Sequence, residues 1–255
     1  MSREQLIKDF FVEHEKLVSG TEESLKSREE SINKKYNKII QDLNLPFYEN
    51  VPNIDPFIQV YDKVLPDDFC DHLIKIHNNN PMFVSDGVTG SQRDSKTNVP
   101  WKVSKDLCIS DDKFPFKNEC QVLHSITGSY IQKYLQKMHL MYGNVDLSEG
   151  IVSLFQIQYN EKNKGRYWFH NDESVDNING KLINRHLTYL YYLNDVQDGG
   201  ETIFMNCKVK PKKGRLLIFP STWTYIHGGS IPISNDKYIL TGWYYREMKI
   251  RKNIR

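Results

Sequence analysis

The chain has 255 residues, 39% hydrophobic and 12% aromatic, which suits one catalytic domain with a packed core and an appendage. Its 34 basic and 32 acidic side chains leave a net charge of +2. That balance argues against a nucleic-acid partner, because phosphate binding draws on a basic excess gathered on one face. Four cysteines (Cys70, Cys108, Cys120, Cys207) form no CxxC pair and match no zinc spacing, so reduced thiols are expected.

The N-terminus, MSREQLIKDFF, is charged and lacks the apolar run of a secretory signal. No stretch of about 18 apolar residues follows, so a cytoplasmic protein without membrane contact is expected. Residues 1–50 read as a charged helical extension. Thr21, followed by Glu22 and Glu23, suits an N-cap. Leu25, Ile32, Tyr36, Ile39 and Leu43 recur on one helical face. That face would either pack on the main domain or form a homodimer through the N-terminal helices; the spacing leaves oligomeric state open. Pro46, Pro52 and Pro56 mark a linker into a main domain over 51–255.

A strand is predicted over 58–64. A helix then opens at Pro66, with Phe69, Cys70, Leu73, Ile74 and His77 on one face. Residues 85–100, rich in Gly, Ser, Asp, Asn and Thr, predict a mobile loop and a candidate substrate lid. A long helix is predicted over 119–141, with Val122, Leu123, Ile126, Tyr130, Tyr134 and Leu135 as its buried stripe. Beyond Gly150 short strand-like runs follow at 151–159, 167–170, 185–193, 202–204, 215–219, 223–227 and 237–245. Many short strands at close spacing, after the helices, predict an α+β protein whose core is a sandwich or jelly roll rather than a βαβ fold. Lys208, Lys210, Lys212 and Lys213 read as a solvated turn, Gly199-Gly200 as a tight turn with Glu201 at the surface, Arg166 as exposed, and Trp168 and Trp223 as packing residues.

His170-Asn171-Asp172 sets two ligand side chains at i and i+2, which face the same way on a strand. His227 is the candidate third ligand. Two imidazoles and one carboxylate on one face of an octahedral metal suit non-heme iron(II) and leave positions open for a chelating co-substrate and dioxygen. Lys237, ten residues beyond His227, starts the last predicted strand. A buried cation is costly unless paired, and a dianionic ligand would supply the pair. A hydroxyl from Tyr192, Tyr159 or Thr241 would complete that end.

These residues carry a resemblance. HND at 170–172, RHLTYLYYLNDVQDGGETIF at 185–204, GRLLIFPS at 214–221, HGGSIP at 227–232 and KYILTGWYY at 237–245 resemble the catalytic core of the prolyl 4-hydroxylase superfamily of Fe(II)/2-oxoglutarate oxygenases, over about 150–247. The resemblance implies a double-stranded β-helix (jelly roll) supported by N-terminal helices. It implies Fe(II) on His170, Asp172 and His227, with 2-oxoglutarate and O2 as co-substrates and ascorbate as reductant. It places Lys237 and Tyr192 on the far carboxylate of 2-oxoglutarate and Tyr159, Thr241 and Trp243 along the pocket. The implied reaction hydroxylates a prolyl residue of a protein or peptide and releases succinate and CO2. The alternatives are another side chain, a free amino acid or small metabolite and, outside enzymes, a jelly-roll binding module. A lysine at 237, where many relatives of other substrate classes carry arginine, tilts toward the prolyl 4-hydroxylase branch and away from nucleic-acid demethylation.

Overall fold

Strand periodicity sets the architecture, because alternate residues of each long strand must satisfy two different surroundings. The computed structural model describes residues 29–50, 54–89, 101–110, 115–143, 150–178 and 180–248, with Gln5, Val12, Val145 and Leu147. Its helices are α1 (Glu29–Asp42), α2 (Asp67–Asn79) and α3 (Lys117–Tyr142). The strands begin with β1 (Gln59–Tyr61), β2 (Val84–Asp86), β3 (Lys102–Val103), β4 (Lys105–Ile109) and β5 (Ile151–Val152). The central group is β6 (Phe155–Asn160), β7 (Arg166–His170), β8 (Val175–Ile178), β9 (Lys181–Tyr192) and β10 (Thr202–Phe204). β11 (Lys208–Val209), β12 (Leu216–Pro220), β13 (His227–Gly229) and β14 (Lys237–Glu247) complete them.

The larger sheet runs β1-β12-β9-β14-β6-β4-β2, with β5 and β8 added to β14 and β9; the smaller runs β11-β10-β13-β7-β3. All strand pairs are antiparallel. On the outer face of the larger sheet, Leu187, Tyr189 and Tyr191 of β9 and Leu216 and Ile218 of β12 pack against Leu73 of α2 and Leu123, Ile131 and Leu135 of α3. Their neighbours Leu190, Tyr192, Leu217 and Phe219 turn inward and meet Phe204, Cys207 and Val209 from the smaller sheet. Behind the smaller sheet, Tyr36 and Ile40 of α1 pack on Trp168, Ile203 and Ile231. The layers are therefore α2 and α3, larger sheet, smaller sheet, α1, and both long strands of the core are buried on two faces.

Several expectations change on contact with tertiary structure. Val122 is 44% exposed, because the buried stripe of α3 runs instead through Cys120, Leu123, Thr127, Ile131, Tyr134 and Met138. Residues 223–226 form a turn closed by Tyr225 N–H to Thr222 O, and β13 starts only at His227. Trp223 is 65% exposed and packs on no core. Arg166 is buried and paired with Glu29 of α1. Strands β2, β3, β4 and β8 carried too little apolar alternation to be seen. Thr21, Leu25, the side chain of Ile32 and positions 90–100 of the lid candidate lie outside the described residues. No helix among the described residues is long and apolar enough to cross a membrane.

Tyr36 joins α1 to the smaller sheet twice over. Its ring stacks on Trp168 at 5.5 Å, and its hydroxyl reaches the carbonyls of Tyr167 and Gly229 at 3.4 Å each. Tyr36→Ala should cost about 3 kcal/mol in denaturant unfolding, as expected for truncating a buried aromatic, and Tyr36→Phe about 1 kcal/mol. A loss below about 0.5 kcal/mol for the alanine variant would contradict this packing.

Candidate metal and co-substrate site

Antiparallel pairing brings the three ligand candidates together. His170 at the end of β7 is the direct cross-strand partner of His227 at the start of β13. Asp172 follows β7 by two residues and turns to the same side. One ligand atom from each of the three lies within 4.8 Å of the others. His170 Nε2 is 3.8 Å from Asp172 Oδ1, and His227 Nε2 is 3.5 Å from Asp172 Oδ2.

Hydrogen bonds aim the imidazoles. His170 Nδ1 contacts Trp168 O at 2.7 Å, and His227 Nδ1 contacts Tyr225 O at 3.0 Å. A carbonyl only accepts, so both Nδ1 atoms carry hydrogen and both Nε2 lone pairs face the centre. The Tyr167 ring stacks on His170 at 3.5 Å, and Phe219 meets His227 edge-on at 4.7 Å, so neither ring is free to rotate. Burial, helped by the neighbouring His227, pushes the His170 pKa far below its ordinary value. It is therefore a neutral donor at physiological pH.

Asp172 sits in a different balance. Burial would raise its carboxyl pKa, but His227, His170 and the Thr188 hydroxyl outweigh it and hold the group below the usual range. Thr188 Oγ1 donates to Asp172 Oδ2 at 2.8 Å and lies 2.9 Å from Ser221 Oγ. Thr188 has one hydroxyl hydrogen, so Ser221 must be the donor in the second bond, and the chain runs Ser221 to Thr188 to Asp172. Two imidazoles and an anchored carboxylate converging on one point form a donor set that fits a divalent cation of intermediate softness.

The triad opens onto a cavity of about 350 Å³. Lys237, first residue of β14, reaches its other end. The side chain is 4% exposed, and its ammonium donates to Gly200 O at 3.1 Å. No carboxylate among the described residues lies within ion-pair distance of it. Burial pushes its pKa down to about 8, against a smaller upward pull from Glu201. Gly199 and Gly200 have φ of +73° and +74°, the left-handed region the tight turn requires. This turn presents the Gly200 carbonyl to Lys237.

The remaining predicted residues divide by strand parity. Thr241 and Trp243 lie on the inward face of β14 and line the cavity. Tyr192 does not line it; its hydroxyl bonds Thr202 Oγ1 at 2.6 Å, one layer behind the wall. Tyr159 is a correction. It shares the outward parity of Phe155 and Ile157, bonds Asp236 at 3.2 Å and packs against His77 and Tyr238. Inward instead point Gln156, Gln158 and Asn160. The alternation apolar-polar in FQIQYN held that signal. Thr188, Thr202 and Arg185 were also missed. Arg185 sits at the cavity with its guanidinium 3.7 Å over the Trp243 ring and its Nε on the Tyr245 hydroxyl. Its strand position alone gave no sign of this.

Residues 155–245, from β6 through β14, match the family model of the 2OG-Fe(II) oxygenase superfamily. Over those residues the chain is similar to that superfamily. The match contains the triad and Lys237. No curated protein matches. Among solved structures, a prolyl hydroxylase from Trichoplax adhaerens, in complex with a hypoxia inducible factor oxygen degradation domain peptide fragment, has a TM-score of 0.54 at 18% identity. The match covers 89% of this chain and 94% of that one. A viral collagen prolyl hydroxylase from Paramecium Bursaria Chlorella virus-1, solved with 2OG, has a TM-score of 0.52 at 19% identity, over 74% and 96% of the two chains. A Pseudomonas putida prolyl-4-hydroxylase has 0.51 at 16%, over 74% and 92%. At these identities the likeness speaks for the jelly-roll fold.

Thr188→Val keeps the shape and removes the donor to Asp172. Metal affinity should fall about tenfold at neutral pH. A depressed carboxyl keeps its charge above its pKa and loses it as pH falls through that value. Losing the Thr188 bond raises the pKa, so the deficit should widen on acidification. Metal titrations at several pH values would show it, and a pH-independent deficit would contradict the role of Thr188.

Proposed function

We propose that the protein is an Fe(II)- and 2-oxoglutarate-dependent dioxygenase that hydroxylates a prolyl residue in a protein or peptide. The observation that carries this reading is a cavity with a two-histidine, one-aspartate cluster at one end and, at the other, a buried ammonium with no carboxylate partner among the described residues. In it His170, Asp172 and His227 hold the metal, and Lys237 holds the far carboxylate of the co-substrate. When bound, iron(II) with 2-oxoglutarate and O2 supplies the oxidising power that turns a C–H bond into C–OH, with release of succinate and CO2. The chain's residues bind, aim and exclude water. Thr241 and Trp243 wall the co-substrate, Tyr192 supports it through Thr202, and Ser221 and Thr188 keep Asp172 ionised. Ascorbate serves as the reductant that keeps the iron ferrous.

A peptide substrate is favoured by Arg185, which lines the cavity with its guanidinium 3.7 Å over the Trp243 ring and is the kind of donor that meets a backbone carbonyl. The Trichoplax neighbour was solved with a peptide. In this reading residues 51–255 form the catalytic domain, α1 within the 1–50 extension supports the smaller sheet, and the protein works in the cytoplasm.

Purified protein with Fe(II), ascorbate and 2-oxoglutarate should form succinate and add one oxygen to a proline-containing peptide, read by mass spectrometry. His170→Ala or Asp172→Ala should reduce both at least about a thousandfold, because the remaining two ligands hold the metal poorly. Metal-dependent succinate with oxygen on a free amino acid would redirect the substrate class and leave the enzyme class standing. Absence of succinate under all conditions would sink the proposal.

The Lys237 ammonium gives a second handle. A lysine whose pKa in the empty cavity is about 8 is charged below that pH and neutral above it. Affinity for 2-oxoglutarate should be flat below pH 8 and then fall up to tenfold per unit, since binding must take up a proton. Lys237→Arg should remove that alkaline limb. A limb unchanged in the arginine variant would assign it to another group.

A further inference from the structure

The β6 strand sends a third amide into the cavity next to Lys237. Asn160 is the cross-strand partner of Lys237 in the β6–β14 ladder. Directly paired residues project to the same face, so the two side chains lie side by side. Asn160 is 4% exposed and lines the cavity. Its Nδ2 is buried with no hydrogen-bond partner among the described residues. An orphan donor of this kind carries a desolvation cost until a ligand meets it. The backbone holds it in place: a Cβ on Gly165 would come within 2.5 Å of Asn160 Cβ, so only glycine lets the β6–β7 turn close over it.

Thr202 supplies another donor. Tyr192 O–H donates to Thr202 Oγ1, which leaves the Thr202 hydroxyl hydrogen to point elsewhere, and Thr202 lines the same cavity. Glycines keep the space around the ammonium clear: a Cβ on Gly229 would stand 3.6 Å from Lys237 Nζ, and one on Gly200 would press on Lys237 Cδ at 3.2 Å. The Gly200 carbonyl takes one ammonium hydrogen, leaving two.

We propose that Asn160 binds the distal carboxylate of the 2-oxo acid co-substrate, acting with Lys237 and Thr202 as a clamp of three converging donors. This rests on the oxygenase reading above. The role expected for Tyr159 passes to its neighbour, one residue along and on the opposite face. The three donors differ in kind. Lys237 contributes charge, Thr202 a hydroxyl oriented from behind by Tyr192, and Asn160 a directional N–H that fixes the carboxylate plane. A ligand lacking a carboxylate at that end gains nothing from Asn160, which makes the residue a determinant of co-substrate selectivity.

The test compares two ligands of equal backbone length. 2-Oxoglutarate carries the distal carboxylate; 2-oxopentanoate ends in methyl. Binding of each to anaerobic Fe(II)-loaded protein is measured by calorimetry, after Fe(II) affinity has been measured alone. Asn160→Leu should weaken 2-oxoglutarate about tenfold, the scale of one hydrogen bond to a charged group, and leave 2-oxopentanoate and Fe(II) affinity unchanged. Asn160→Asp, which sets an anion against the incoming carboxylate, should weaken 2-oxoglutarate about a hundredfold. Asn160→Ser gives a small polar variant should leucine disturb folding, with a loss of a few-fold for 2-oxoglutarate only. Equal losses on both ligands would mean a structural role and overturn the proposal, as would no loss on either. Wild-type protein that binds Fe(II) but neither ligand would overturn the oxygenase reading itself, a result distinct from either of those.

Discussion

The site depends on one pairing, β7 against β13. It sets His170 opposite His227, and everything else in the metal cluster is adjustment around that fixed span. Side chains at directly paired positions of an antiparallel ladder share a face with Cβ atoms about 5 Å apart, near enough for two imidazoles to converge on one ion. Each imidazole is then locked by its own strand, since each Nδ1 bonds the carbonyl two residues before it. The fold therefore builds much of the donor geometry from backbone, and the side chains add the chemistry.

The same periodicity explains what was legible in the sequence. The triad could be read because its logic is local, HND on a strand end plus one distal histidine before a lysine-led strand. The strands of the core could be read because Tyr, Leu and Ile run through them almost without interruption. What could not be read was which face each residue took. FQIQYN begins on Phe155, and the parity of that first residue sends Tyr159 to α2 and Asn160 to the cavity; shifting it by one would reverse both. A hydroxyl looked like the natural partner for a carboxylate, so residue type was given weight over register. Short strands such as β3, with Lys102 paired to Asp106 in a buried ion pair, were invisible because charge in the interior mimics a loop.

Lys237, Arg185 and Lys102 line the cavity together with Asp172 and Glu173, and Lys102 is already paired with Asp106. A divalent cation held by the triad would tip this lining to a positive excess. Such a cavity suits dianionic ligands better than neutral ones, and burial by itself holds the Lys237 pKa below its ordinary value. Asn160 of β6 fits this view, since its orphan donor and the buried Lys237 ammonium are met by the same kind of ligand.

The helix behind the smaller sheet follows from the same economy of space. Gly228 lies between His227 and Gly229, and a Cβ there would stand 3.1 Å from the Tyr36 hydroxyl and 3.2 Å from Tyr167 O. The bare backbone at HGG therefore faces two ways: toward the cavity it leaves room for the Lys237 ammonium, and on the reverse it lets Tyr36 approach both metal-bearing strands. Glu29 adds the charge that the buried Arg166 on β7 requires. The helix, whose apolar face the sequence sets either against the main domain or against a second copy, is thus joined to the strands that carry His170 and His227, and substitutions at Tyr36 would reach the triad through backbone rather than through any contact with its side chains.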